Sequence, residues 1–408
     1  MLSYTDKVFG LRRQWKLKVS DSRPKAQIPT KVFPAAFFAM FSCRLPSFNE
    51  LEQHRDKSSW RHWLGGSPLP SADELAYASE RIDPEGLRAC LGHVHSRLKR
   101  NKVLAPRHGW MLAAIDGHET ISSYKRCCED CLQRKVTVGG IEKIQYYHRI
   151  VVFQIICEHF QFLFDLEMVR PGEDEAGAAL RLLARVLEAH PRCFDVLTGD
   201  ALYLRPSLIE MLGAHRKHLV AVLKENQPEL LGEARTLLPE EPAQEFHTPA
   251  APGKPARRIE LREAEGFRTE SITKPLRVVH AHETGIRRQR IAGQWLETPI
   301  DSHWYWATTL PAPLAGGRAI FDFGHDRWKI ENEGFNELVT RWHSGHCFHH
   351  HPNTILVLWL MLFMAHAVFH CFHARNLKAE LRRGHTAIYF AGLMAACLRT
   401  RQWWPPPT

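Results

Sequence analysis

The chain lacks several things whose absence narrows what it can be. No continuous apolar segment follows the charges of MLSYTDKVFGLRRQWKLKVS, and VFPAAFFAMFSC lies too far in to act as a leader, so no secretion signal is visible. Its ten cysteines lack the regular spacing of a small secreted scaffold, which argues against disulfides and for reduced thiols in a cytoplasm. Internal repeats are absent, which sets aside a repeat array. Acid is in deficit: 44 Asp and Glu face 54 Lys and Arg, a formal charge of +10 before 25 histidines are counted. With a pI near 9.2, that balance favours a polyanionic partner, nucleic acid being the commonest, over an otherwise ordinary basic enzyme. Long uncharged runs are nearly absent too. The one run long enough to span a bilayer is ILVLWLMLFMAHAVFHCF, Ile355 to Phe372, interrupted by His366 and His370. It reads as a helix buried on all sides, and no membrane is expected.

What is present is 408 residues, 44% of them apolar, enough for two or three packed domains. Residues 1–105 read as a helical, basic region suited to DNA binding. Ser71 with Glu74 has capping-box spacing, and Asp83 with Pro84 opens a helix lined by Leu87, Leu91, Val94 and Leu98. That helix closes on Arg97, Lys99, Arg100 and Lys102, which suits the negative end of its dipole. From Trp110 the pattern turns to strands. WMLAAIDG ends in Asp116 and Gly117, and IQYYHRIVVFQII and FQFLFDLEMV follow. A helix is expected from about Asp174 to His190, then a strand ending in Asp200, a short helix, and the strand LVAVLKEN. This order predicts an α/β protein of the α+β kind, with helices packed on a mixed sheet.

Residues 106–230 are thus the first part of a core. Residues 231–310 form a β-rich insertion, in which linker-like EEPAQEFHTPAAPGKPARR precedes the strands RIELREAEGF, LRVVHAHETG, RRQRIAGQWLE and HWYWATTL. Residues 311–408 return to helix, with one from Asp326 to about Trp342, the buried apolar helix, and a C-terminal pair closing at PPPT.

Asp116 and Asp200 each end an apolar strand, a position that suits a ligand and equally a turn or helix cap. Two on neighbouring strands suggest metal-assisted attack on a phosphodiester, where two divalent cations about 4 Å apart stabilise the attacking and leaving oxygens. Such cations repel by about 16 kcal/mol at an effective dielectric of about 20, so a third carboxylate is wanted. Hard oxygen donors select Mg or Mn. Glu331, Glu333 and Glu337 are the candidates. On an α-helix the first two point about 200° apart, and Glu331 shares its face with Arg327, which can orient it or grip a phosphate. Glu331 is the choice, leaving Glu333 and Glu337 as surface charges. Cys128 and Cys131 in RCCEDC are spaced for structural zinc, with Cys127, His118 or His148 to complete the set. The histidines of HSGHCFHHHP, His343 to His351, read as a polar loop between helices, with metal binding as the second reading.

IDGHE with Asp116, VLTGDALY with Asp200 and Tyr203 followed by LKEN, and DRWKIENEGFNEL with Arg327 and Glu331 together resemble a DDE transposase of a bacterial insertion sequence. The resemblance runs from about Pro46 to Phe372. It implies a ribonuclease-H-like catalytic core with a β-rich insertion before the catalytic Glu, and Asp116, Asp200 and Glu331 as a triad holding Mg²⁺ or Mn²⁺, two ions in all. It further implies cleavage of terminal inverted repeats, joining to target DNA, and a homodimer or larger assembly on double-stranded DNA, in the cytoplasm and nucleoid-associated when bound. The family's third motif reads Tyr-x2-Arg-x3-Glu-x6-Lys; here Gly324 and Leu338 stand at the Tyr and Lys positions. Arg341, Lys329 or Lys224 are the stand-ins for a terminal-phosphate contact, and Arg327, Lys224 and Tyr203 are assigned to phosphate or DNA. On the insertion, Arg287, Arg288 and Arg290 are expected to bind phosphates beside Trp295, which would stack a flipped base as an aromatic does in similar transposases, or else be core. The alternatives are a ribonuclease-H-like nuclease without strand transfer and a domesticated or inactive DNA-binding derivative.

Overall fold

The structure, a computed structural model, describes residues 1–126, 128–250, 255–291 and 294–400. Cys127 and the closing PPPT therefore lie outside the described residues. The chain is mixed α/β, as expected, with a ten-stranded sheet of parallel and antiparallel pairs. The strands are β1 (Leu112–Ser123), β2 (Leu132–Val138), β3 (Ile141–Ile156), β4 (Gln161–Met168), β5 (Val196–Gly199), β6 (His218–Val222), β7 (Gln244–His247), β8 (Arg258–Phe267), β9 (Leu276–Ile291) and β10 (Gln294–Thr308). Their order is β2-β3-β1-β5-β6-β10-β9-β8-β7, with β4 paired to β3. Two compact units divide the chain: Met1–Ala105, Gly117–Val186 and Ile330–Thr408 form one, Pro106–Asp116 and Leu187–Lys329 the other. Residues 106–230, grouped above as one stretch of core, are instead shared between the units.

In the first unit the predicted helix starts are present in detail. Ser71 and Glu74 close a capping box, and the Asp83 carboxylate accepts the Glu85 amide with Pro84 in the first turn. Leu87, Leu91, Val94 and Leu98 are fully buried. Every residue of the Val32–Ser42 helix is buried. It packs on the Pro352–Arg375 helix, which the Pro84–Arg100 helix and β4 also cover. By length and composition Pro352–Arg375, with mean hydropathy 2.2, could cross a membrane, but 83% of its apolar window is buried inside the fold. A helix apolar on all sides needs such a surround, and the expectation of a buried helix agrees with this packing.

Several local readings are corrected. β1 does not stop at Asp116 and Gly117; it runs on to Ser123. A strand absent from the sequence reading, β2, pairs with β3 across Gly139 and Gly140, both at positive φ (59° and 79°), as a two-residue hairpin turn requires. β7 lies within the segment read as linker. The insertion is no separate sheet, since β10 pairs antiparallel with β6 (Trp306 opposite Val222) and continues it. LRVVHAHETG and RRQR are one strand, β9, paired along its length with β10. The helix expected from Asp326 starts earlier, as Gly317–Asp326, and a π-helical turn, Ile330–Phe335, precedes Asn336–Trp342.

Candidate functional site

In the second unit, β1 and β5 run parallel, pairing Leu112 with Val196, Ala113 with Leu197 and Ala114 with Thr198. Each partner is numbered 84 higher, and the same offset joins 116 to 200. Asp200 follows β5 in extended conformation (φ −77°, ψ −175°), and the same register continued by two residues would set it opposite Asp116. Side chains repeat every second residue, so both carboxylates leave the same face as Ala114 and Thr198. Both residues are part-exposed. The Asp200 Oδ1 accepts the Leu202 amide at 2.9 Å and caps a 3-10 turn. Asn226 of LKEN holds that turn by donating to the Ala201 carbonyl at 2.8 Å.

Arg327 follows the Gly317–Asp326 helix and donates from Nη1 to Asp116 Oδ2 at 3.1 Å. Its guanidinium lies 4.3 Å from the Trp328 ring centroid, and the residue is only 5% exposed. This corrects its assignment to phosphate: a buried arginine bound to a carboxylate orients that carboxylate instead. Next to it, Asp326 takes Arg107 at 2.8 Å and Lys329 at 3.0 Å, so Lys329 is engaged as well.

The departure at Gly324 has a physical cause. A Cβ there would lie 2.1 Å from the indole nitrogen of buried Trp306, so no tyrosine fits. Tyr203 is corrected too. At 1% exposure its ring packs over Gly199, whose Cβ would sit 2.8 Å from it, and it offers no surface to DNA. Lys224, just beyond β6, is exposed. Arg287, Arg288 and Arg290 are exposed on β9, with Arg288 bonded to Glu297 at 2.6 Å. Trp295 is 64% exposed and directly opposite Arg290, which removes the core reading of this tryptophan.

In the first unit, Glu331 is half-buried in the π-helical turn and Glu333 is exposed. The 200° separation assumed an α-helix, yet burial separates these two acids in the same sense. Gly334 lets the turn approach the sheet, because a Cβ would meet the Gln154 amide oxygen at 2.8 Å. Phe335 stacks on His118 with ring centroids 4.4 Å apart, and burial pushes His118 down to about 4. His118 is thereby taken up by packing and is corrected as a partner of the cysteines. Leu338, where the family has Lys, is fully buried, and Arg341 is exposed.

Glu337 is no plain surface charge. It accepts from His370 at 2.8 Å and Trp342 at 3.2 Å, and His366 lies 3.6 Å away. Burial opposes its ionisation, but the two histidines outweigh that and hold its carboxyl well below the usual range. Among the described residues, three groups could hold a metal through side chains of His, Cys or acid: Cys128, Cys131 and His148; His282, Asp301 and His303; and Glu337, His366 and His370. The sequence paired Cys128 with Cys131 and gave His148 as one of three candidate completing ligands, beside Cys127 and His118. It missed the His282 group, whose cross-strand pairing depends on the long β9–β10 register, and the Glu337 group, although His366 and His370 at helical spacing were a signal.

Neither the models of known protein families nor the curated proteins contain a match to this chain.

Proposed function

We propose that the chain is a DDE transposase that cleaves the ends of an insertion sequence and joins them to target DNA by metal-dependent phosphoryl transfer, on a ribonuclease-H-like core. The observation that carries the reading is the β1–β5 register, paired as far as Ala114 and Thr198, which Asp116 and Asp200 each follow by two residues, with Arg327 bonded to Asp116. Glu331 is assigned as third carboxylate from its motif, four residues after Arg327. The donor set consists of hard carboxylate oxygens, which fits Mg²⁺ or Mn²⁺ and not a thiolate-seeking metal. When bound, such ions supply Lewis-acid stabilisation of the attacking and leaving oxygens.

The chain's own residues do the rest. Arg327 fixes the rotamer of Asp116, and the Leu202 amide does the same for Asp200, so neither carboxylate reorganises as charge develops. Lys224 and the β9 arginines offer exposed cations for DNA phosphates, and Trp295 an exposed ring for a base. The net charge of +10 supports a polyanionic substrate, and action in the cytoplasm as a homodimer or larger assembly on DNA belongs to the same proposal. Gly324 and Leu338 are packed into the fold, which speaks against reading them as marks of a decaying site.

The test uses labelled DNA carrying the sequences that flank the gene, incubated with protein and Mg²⁺. Cleaved and joined products are expected. Asp116→Asn, which keeps the shape of the side chain, should abolish both while leaving end binding within about threefold. Cleavage at the wild-type rate by that variant overturns the assignment, and cleavage without joining selects the nuclease instead.

A further inference from the structure

Cys128 and Cys131 lie in the connection between β1 and β2, and His148 stands on β3, all within the first unit. The two sulfurs are 3.5 Å apart, and His148 Nε2 lies 3.3 Å from Cys128 Sγ and 3.6 Å from Cys131 Sγ. A disulfide needs sulfurs about 2.05 Å apart, and both cysteines are free. Zinc with Zn–S near 2.3 Å and Zn–N near 2.0 Å at tetrahedral angles places ligand atoms about 3.5–3.8 Å apart. The 3.5 and 3.6 Å separations fall in that range, and the 3.3 Å separation is slightly shorter than it.

Two further details point to a ligand at this place. The Cys128 amide donates to Cys131 Sγ at 3.4 Å, which holds that sulfur beside Cys128. His148 is 2% exposed, and its Nε2 is directed at both sulfurs. A small cavity lined by Cys131, His148, Ser123 and Tyr147 adjoins the cluster, and its wall includes His350 of the loop between the Asn336–Trp342 and Pro352–Arg375 helices. Of the side chains lining that cavity besides Cys131 and His148, His350 is the one with zinc-ligand chemistry.

We propose that Cys128, Cys131 and His148 bind one structural zinc ion, with His350 as fourth ligand, and that the ion clips the 343–351 loop to β3 and the β1–β2 connection. Binding releases both thiol protons to solvent and leaves zinc with two thiolates and two neutral imidazoles, a closed shell with no position for substrate. The site is therefore structural, and it does not depend on the transposase reading.

The full chain, purified without chelator and titrated with zinc alone, should carry one equivalent of zinc by elemental analysis. X-ray absorption should report two sulfur and two nitrogen neighbours. Cys131→Ser should weaken zinc binding by roughly 100-fold or more, and His350→Ala should replace one nitrogen by a water oxygen with a smaller loss. Chelation should speed proteolytic cleavage within 343–351 in the wild type. Because Cys131→Ser could perturb folding, His350→Ala, at a part-exposed loop residue, serves as the second variant. Substoichiometric zinc at saturation, or wild-type zinc affinity in Cys131→Ser, overturns the site. A shell with three sulfurs, or one unchanged in His350→Ala, overturns His350.

Discussion

Trp306 and the carboxylate of Asp116 each dictate a neighbour. Trp306 fills the space that a side chain at 324 would need, so Gly324→Ala is expected to cost about 1–3 kcal/mol by overpacking, read as a lower urea midpoint at unchanged slope. Leu338→Lys should cost more, because it buries an unpaired ammonium in a fully enclosed position. Placing Tyr at 324 and Lys at 338, the residues of the motif it resembles, should therefore damage this chain. Among the acids of the third motif, the surroundings of Glu337 were not legible in the sequence, because its partners His366 and His370 come from another helix, Pro352–Arg375.

Among the elements, the β9–β10 hairpin presents the most accessible test. Trp295 and Arg287 are exposed, so their replacement should leave stability within about 0.5 kcal/mol. In DNA-binding assays over a salt series, Trp295→Ala should lose about 1–3 kcal/mol of affinity at every salt concentration, as a stacked base would require. Arg287→Ala should instead flatten the salt dependence by about one unit of slope. Equal affinity in all three proteins would remove the hairpin from the DNA interface.

How much of these elements was legible follows from where the information lies. Buried strands such as β3, β5 and β6 announce themselves as apolar runs, and so does the Pro352–Arg375 helix. The end of β1 was misread because Asp116 and Gly117 look like a turn, whereas pairing with β3 carries the strand on. β9 was split because His-Glu-Thr-Gly interrupts the apolar pattern. There, Arg258 and Arg257 of the neighbouring segment engage Thr284 by pairing and Glu283 by an ion pair. Gly139–Gly140 is itself a two-residue hairpin signal in the sequence. A π-helical turn has no sequence signature comparable to a cap, so the local geometry of Glu331 could not be read in advance.

Across the whole molecule, pH reports on packing. His118 is held neutral, its pKa about 4 in the fold against 6.5 unfolded, because burial penalises the cation. A depressed folded pKa means that the unfolded chain binds the proton first. The contribution is complete above pH 6.5 and is lost as pH falls towards 4, by up to about 1.4 kcal/mol per unit for such a histidine. Buried His366, with a pKa also near 4, acts in the same direction. Urea midpoints should therefore fall across that window, and His118→Phe, which keeps a ring against Phe335, should flatten part of the slope. A pH-independent midpoint between 6.5 and 4 would contradict the burial of these rings.

The most direct measurement is Mg²⁺-dependent processing of end-labelled DNA by wild type and Asp200→Asn, since the proposed pairing of Asp200 with Asp116 follows from the β1–β5 register. Cleavage and joining by the wild type that need Mg²⁺ or Mn²⁺ are expected, and none by Asp200→Asn at comparable DNA affinity. Cleavage by Asp200→Asn at the wild-type rate, or by the wild type in excess chelator, would contradict the proposed function.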